Sequence, residues 1–422
     1  MKPTHTSRRA FMKQAGIGAL AAQGAPALAA AAAATEPMKI TRIDAVTFRK
    51  GLKVGGGPGG SEEAEWFWVR LHTDNGLIGT GETYPYSNAE IGALKDYSRQ
   101  LLGRDPRDID GVWRNYYKAM SMRNAGGADM RTLSAINMAQ LDILGQVTGL
   151  PLYRLLGGRT RSQVRVYNTT TNYWSMDNMR MGPDTLKIAA FLIERGVTAM
   201  KIYPFNGRDN YLTNQAMESG MAWIKDIRNK YGEGMDIAVD LWGGFDFTSA
   251  QRIARALEPY NVLYLEDPML NANVHAYAKL AQETSVPICM SETLATRYEY
   301  REFFEQRACD VVMYDLTWCG GVSEAKKIAD MADTYLIPTS PHTCGGPLLY
   351  FCSAHLCMAV PNFLIMESNY WKYTYQFPYF VSNVPVPVKG SVTAPELPGI
   401  GAQIKPEIFT NGAAIVETIA KA

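Results

Sequence analysis

Beyond its N-terminal region the chain contains no stretch approaching the roughly 20 uncharged apolar residues that a bilayer span requires, so the mature protein is expected to be soluble. Charge of one sign is also lacking: Lys and Arg number 42, Asp and Glu 41, and the net charge is +1. That balance gives no electrostatic pull toward nucleic acid and points to small-molecule partners. No C-x-x-C spacing occurs among the six cysteines, Cys289, Cys309, Cys319, Cys344, Cys352 and Cys357. With 47% of its 422 residues apolar, the chain can bury a large core without covalent staples, so these read as buried thiols. The glycine-rich run from Gly55 to Gly60 carries no Lys-Ser/Thr and no helix opens directly behind it. That sets aside a phosphate cradle and leaves a mobile lid as the expectation. Histidine is scarce, at five residues, of which His72, His275 and His355 read as ordinary surface or packing residues.

At the N-terminus, Ser7-Arg8-Arg9-Ala10-Phe11-Met12-Lys13 is followed by a weakly apolar Ala/Gly stretch and by Ala27-Leu28-Ala29, a small-residue cleavage pattern. The segment resembles a twin-arginine export signal through its paired arginines, Phe11 and Lys13. Residues 1–34 are therefore expected to be removed, with cleavage between Ala29 and Ala34. The mature protein is expected in the periplasm, with no membrane contact after cleavage.

Residues 35–160 read as an α+β unit: alternating strands around Lys39 to Phe48 and Trp66 to His72, then helical spacing from 88 to 156. Leu133, Ile136, Leu141, Leu144 and Val147 form a helical stripe that ends near Gly149 and Pro151. From 161 to 376 strands and helices alternate, with strand ends near Tyr167, Tyr203, Asp240, Glu266, Glu292, Tyr314, Ser340 and Glu367. Amphipathic stretches such as 183–195, 212–230, 249–257 and 274–283 lie between them. Eight parallel strands with intervening helices specify an α/β fold, a (β/α)8-type barrel with function at its C-terminal rim. Residues 377–422 are rich in Pro and Val, end in a helix-like segment, and are expected to pack back on the first unit.

Asp240, Glu266 and Glu292 each close a short apolar run, and successive members are 26 residues apart. Strand, helix and two loops occupy about that length, so a carboxylate at this spacing is delivered by successive strands to one rim. Three converging oxygen anions repel unless a hard cation lies between them, and an all-oxygen set suits Mg2+. Strand two brings Lys201 and Tyr203 on one face, because strand side chains alternate. Strands six, seven and eight bring Asp315, His342 and Glu367. Asp315 beside His342 would fix the imidazole tautomer and raise its basicity.

With these residues in place, the chain from Met38 onward resembles the mandelate racemase branch of the enolase superfamily, and within it the acid-sugar dehydratases. The resemblance is carried by Tyr264-Leu-Glu-Asp-Pro268, Ser291-Glu-Thr-Leu294, Cys319-Gly-Gly-Val-Ser-Glu324 and Pro341-His342. It makes residues 35–160 a capping domain, with Leu133 to Gly158 leading into the barrel. Sites of that superfamily use a Lys or His base with Mg2+ stabilising an ene-diolate. The resemblance thus implies Mg2+ on Asp240, Glu266 and Glu292, charge support from Lys201, and proton abstraction by His342 oriented by Asp315. Glu367 would hydrogen-bond the substrate carboxylate if protonated, or orient a neighbour if not. A homo-oligomer, often an octamer, is implied as well.

Departures from the family pattern bear on the reaction. Racemases of this branch carry a second lysine on strand two, where this chain has Tyr203, a poor base at neutral pH. That favours one-sided chemistry at His342: loss of water from a sugar acid to give a 2-keto-3-deoxy acid. Related dehydratases place His or Asn two residues after the aspartate ligand, where this chain has Trp242. The leaving hydroxide would then be protonated by His342 itself or by Tyr203. The alternatives are an epimerase, racemase or cycloisomerase on a related carboxylate, and a non-catalytic sugar-acid binding protein. Arg297 meets either a substrate carboxylate or a salt-bridge partner, and Asp267 reads as a neighbour of the metal ligands. Substrate recognition is expected from Gly55 to Gly60, Tyr84-Pro-Tyr86, Asn168 to Trp174 and Phe205 to Tyr211.

Overall fold

The computed structural model describes residues 36–57, 60–85, 88–121, 126–170, 178–205 and 211–422. The export-signal expectation over residues 1–34 lies outside them, as do the parts of the recognition loops at 58–59, 86, 171–174 and 206–210. No helix among the described residues is long and apolar enough to cross a membrane.

The chain opens with β1 (Ile40–Phe48), β2 (Lys53–Gly57), β3 (Gly60–Glu63), β4 (Phe67–Thr73) and β5 (Ile78–Thr83). Helices α1 (Asn88–Leu101), α2 (Ile109–Ser121) and α3 (Gly127–Thr148) follow. β2 and β3 pair as an antiparallel hairpin, so the glycine-rich run expected as a loop belongs to a paired ribbon. A Cβ on Gly55 would stand 2.7 Å from the Trp371 ring, so this ribbon lies against the chain that follows the barrel. The capping sheet is antiparallel, and its outer strand is β14 (Ala414–Lys421), paired with β1. This corrects the helix-like reading of the C-terminus.

α3 is buried nearly all round, beyond the single stripe expected, because it lies between the capping sheet and the barrel. Its close approach to β5 needs glycine: a Cβ on Gly81 would sit 1.9 Å from the Ala135 carbonyl oxygen, and one on Gly79 2.0 Å from that of Ala139. Toward the barrel, Ser134 Oγ accepts from Gly320 N at 3.0 Å and Asn137 Oδ1 from Ser323 N at 3.1 Å.

The barrel strands are β6 (Val164–Thr169), β7 (Ala199–Ile202), β8 (Asp236–Asp240), β9 (Tyr264–Glu266), β10 (Ile288–Met290), β11 (Val311–Val312) and β12 (Met366–Ser368). Their pairings are parallel, and β12 closes on β6, which also pairs antiparallel with a two-residue β13 (Ser391–Val392). The seventh position consists of three isolated parallel bridges, Val312 to Thr339, Asp315 to His342 and Thr339 to Phe363, where a full strand was expected near Ser340. Helices α5 (Thr185–Glu194), α6 (Asn214–Tyr231), α7 (Phe247–Leu257), α8 (Val274–Glu283), α9 (Thr296–Glu305), α10 (Val322–Thr334) and α11 (Pro347–Ala359) alternate with the strands; a short α4 (Leu152–Leu155) precedes them. Asp246 caps α7 by accepting from Ser249 N at 2.7 Å, an arrangement worth about 1 kcal/mol.

Period-two alternation sorts each strand. Met200, Ile202, Ile237, Val239, Leu265 and Ile288 face the helices. Tyr167, Ala199, Ala238, Tyr264, Cys289, Val311 and Met313 fill the barrel axis. The next inward positions after that apolar plug are Lys201, Asp240, Glu266 and Glu367. An apolar floor and a polar mouth therefore follow from strand parity alone.

Candidate active site

Lys201, at 0% exposure, is the centre of the mouth. Its Nζ lies 2.7 Å from Glu266 Oε1, 3.1 Å from Asp240 Oδ2 and 3.3 Å from Glu367 Oε1. Register explains the cluster, since Asp240 pairs with Glu266 on neighbouring strands. Burial pulls the Lys201 pKa down, but Glu266 and Glu367 outweigh it and hold the ammonium well above its usual range. The same imbalance pushes Glu266 well up: burial first, then Asp240, against Lys201.

Glu292 lies two residues beyond β10, not on it. His342 Nε2 is 3.1 Å from Glu292 Oε2, and His342 Nδ1 is 2.7 Å from Asp315 Oδ2. Asp315 is itself fixed, accepting from Thr317 N at 2.6 Å on its other oxygen. Burial opposes charge on the imidazole, but Glu292, Glu367 and the Asp315 bond together carry the His342 pKa well above 6.5.

Glu367 is ionised. Burial alone would raise its pKa, but Lys201, His342, the Thr169 hydroxyl and Thr343 N hold it at about 2. Thr343 N donates to Oε2 at 2.6 Å and Thr169 Oγ1 to Oε1. Both oxygens of Glu367 are thus engaged by its neighbours, which matches the orienting role among the two expected for it.

Tyr203 follows β7 with its ring centroid 5.8 Å from Lys201 Nζ, and burial drives its pKa well above 10. Trp242 N donates to Asp240 Oδ1 at 2.8 Å, while its side chain is 68% exposed and its backbone takes a φ of 50°. Arg297 is an ion pair: its guanidinium meets Glu324 Oε2 and its N–H donates to Glu324 Oε1 at 2.8 Å. His355 is buried with Nε2 3.0 Å from Ile400 O, and burial lowers its pKa to about 4, a neutral packing residue.

Several groups in this mouth escaped the sequence reading. Cys344, read as one more buried thiol, donates to Glu367 Oε1 at 3.4 Å. Its position two residues after His342 was the only available signal. Thr343 carried none, and Thr169 entered only as part of the recognition segment Asn168 to Trp174. The capping domain reaches the site through Tyr84, which stacks on Trp318 at 5.6 Å; Trp318 in turn lies 5.2 Å from the His342 ring.

Five acids, Asp240, Glu266, Glu292, Asp315 and Glu367, gather here around one ammonium and one imidazole. Glu266 Oε2 and Asp267 Oδ1 are buried without a hydrogen-bond partner, so oxygen donors are left over. Orphaned buried carboxylate oxygens are costly unless a cation meets them, and the Asp240, Glu266 and Glu292 set fits a hard ion such as Mg2+. Among the described residues a different set of donors also gathers, His342, Cys344 and Glu367, with ligand atoms within 4.8 Å of one another. Its mixture of N, S and O does not suit Mg2+.

Residues 185–408 match the family described as enolase C-terminal domain-like, and residues 49–157 match the mandelate racemase / muconate lactonizing enzyme N-terminal domain. Among curated relatives, D-xylonate dehydratase of Haloferax volcanii is 29% identical over 347 residues, covering 80% of this chain and 82% of that one. D-galactonate dehydratase of Ralstonia nicotianae is 28% identical, covering 80% and 88%. Among solved structures, an enolase of the mandelate racemase subgroup from Agrobacterium tumefaciens superposes with a TM-score of 0.80 at 32% identity, over 91% of this chain and 99% of that chain.

Proposed function

On the premise that this chain belongs to the enolase superfamily, in its mandelate racemase / muconate lactonizing enzyme group, we propose that it is a hydro-lyase acting on a sugar acid. It removes the proton α to the carboxylate and expels the β-hydroxyl as water, leaving a 2-keto-3-deoxy acid. One observation carries the reading. An oriented imidazole, His342 on Asp315 at 2.7 Å, faces a mouth where Lys201 lies within 3.3 Å of three carboxylates. The names of the relatives, dehydratases of D-xylonate and D-galactonate, put aldonic acids first among the substrates.

Mg2+ held by Asp240, Glu266 and Glu292 would supply positive charge against the substrate carboxylate as a second negative charge develops on it. Asp315 accepts from Nδ1–H of His342, so Nε2 faces the mouth, and the neutral form of the ring takes the α-proton there. The C–H electron pair forms the double bond, the C–O bond at the β-carbon breaks, and the enol product tautomerises to the ketone. Lys201, rigid between strands, adds its charge where the ene-diolate forms. Glu367, ionised, keeps Lys201 and His342 in register. The new imidazolium then gives its proton to the departing hydroxide, because burial makes the Tyr203 phenol hold its proton tightly and Trp242 is turned to solvent. The paired Arg8 and Arg9 with Phe11 and Lys13 support a twin-arginine export signal over residues 1–34 and a periplasmic mature protein, and the family resemblance supports a homo-oligomer.

The test is proton NMR in D2O with Mg2+ and a panel of aldonic, aldaric and uronic acids. A 2-keto-3-deoxy product is expected from the wild type and none from His342→Asn. Deuterium at C2 with no loss of water would overturn dehydration in favour of epimerase or isomerase chemistry. Tight binding with neither exchange nor product would leave a binding protein.

A further inference from the structure

The oxygen set that suits Mg2+ overlaps a second set of different chemistry. Cys344 Sγ lies 3.4 Å from Glu367 Oε1, and His342 Nε2 lies 3.8 Å from Glu367 Oε2. A fourth donor is close, as Glu292 Oε2 is 3.1 Å from His342 Nε2. One imidazole, one thiol and two carboxylates make a mixed donor set of the kind that zinc takes in tetrahedral sites. The second nitrogen of the ring is already engaged: Asp315 at 2.7 Å on Nδ1 leaves Nε2 as the nitrogen turned toward the cluster. Metal-ligating histidines are held in the same way. Cys344 is the one cysteine of intermediate burial; the other five are buried.

We propose that the mouth has a second, thiophilic metal mode: a zinc-class divalent cation bound by His342, Cys344 and Glu367, with Glu292 as a further ligand. The Cys344 S–H bond breaks as the metal–sulfur bond forms, one proton leaves to solvent, and no oxidation state changes. Such an ion occupies Nε2 of His342 and draws Glu292 away from the oxygen set. Zinc-class ions therefore shut the site even when Mg2+ is saturating, through the choice of donor atoms and not through simple exchange at the three acids.

The experiment is a Co2+ titration of the metal-stripped full protein in saturating Mg2+, followed by optical absorption, with Zn2+ added last. One equivalent is expected to give a thiolate-to-cobalt charge-transfer band that Zn2+ abolishes. The band should be lost in Cys344→Ala and retained in Cys352→Ala, whose thiol lies in the core. Asp315→Asn should weaken Co2+ binding on the order of 10–100-fold. If Cys344→Ala fails to fold by circular dichroism, Cys344→Ser takes its place with the same expected loss. Cobalt bound without a charge-transfer band, or a band that survives loss of Cys344, would overturn the proposal. No sugar acid enters the measurement, so its failure is separate from failure of the dehydratase reading.

Discussion

Lys201 is the residue whose removal has the widest consequences. Methionine at that position would keep the stem but leave Glu266, Asp240 and Glu367 facing one another in a buried mouth. Breaking one side of a buried ion cluster costs about 3–5 kcal/mol, and losing a preorganised charge costs about 10²–10³ in kcat. Lys201→Met is therefore expected to lose both stability in urea and turnover. A variant with unchanged urea midpoint would show that the ammonium compensates nothing. The side chains that strands carry to the rim were legible, because strand parity and spacing place Lys201, Asp240, Glu266 and Glu367 without knowledge of loops. The contacts of Thr343, Cys344 and Trp318 were not, and Thr169 and Tyr84 were legible only as members of recognition segments. Their meeting depends on chain segments far apart in sequence, such as Thr169 with Glu367, 198 positions on.

At the scale of elements, the barrel's rhythm was readable and its irregular members were not. The hairpin of β2 and β3 is built largely from glycine, which gives no side-chain alternation to read. β14 is largely exposed, and Ala-Ile-Val-Glu-Thr-Ile-Ala-Lys has too little polarity contrast to separate an edge strand from a helix; pairing with β1 decides it. The seventh barrel position holds through bridges at Thr339, too short for a periodicity. The seam between β5 and α3 makes a sharper prediction. Gly81→Ala would place a methyl 1.9 Å from a helix carbonyl oxygen, so helix and sheet must separate. Overpacking of this kind costs about 1–3 kcal/mol. Thermal unfolding is expected to show that loss, while Gly76→Ala, in open space at a turn of φ +85°, costs only backbone strain.

For the molecule as a whole, stability is tied to acids buried where the two domains meet. Glu82 accepts from Trp68 Nε1 at 2.9 Å and from Leu349 N at 2.9 Å at the start of α11, and burial lifts its pKa from 4.5 to about 7. Between those values the folded state keeps a proton that the unfolded state has released. Stability from this group is thus full below about pH 4.5 and falls as pH rises toward 7. His355 acts oppositely: its pKa falls from 6.5 to about 4, so stability drops as pH falls through that window. Glu82→Gln should remove the first slope only, so the variant's melting temperature relative to wild type rises from pH 5 toward pH 8; parallel profiles would refute it. Location has its own test. Arg8→Lys with Arg9→Lys should leave the protein in the cytoplasm on fractionation, and export of the double variant would end the twin-arginine reading. The β1 and β14 seam bears on biogenesis. Asp44 and Thr418, joined by a 2.9 Å hydrogen bond, are 374 positions apart, so the ribosome makes one long before the other. Until β14 arrives, β1 offers an open sheet edge to any neighbouring nascent chain. Stalled or clipped translation products would therefore be sticky species for chaperones to hold.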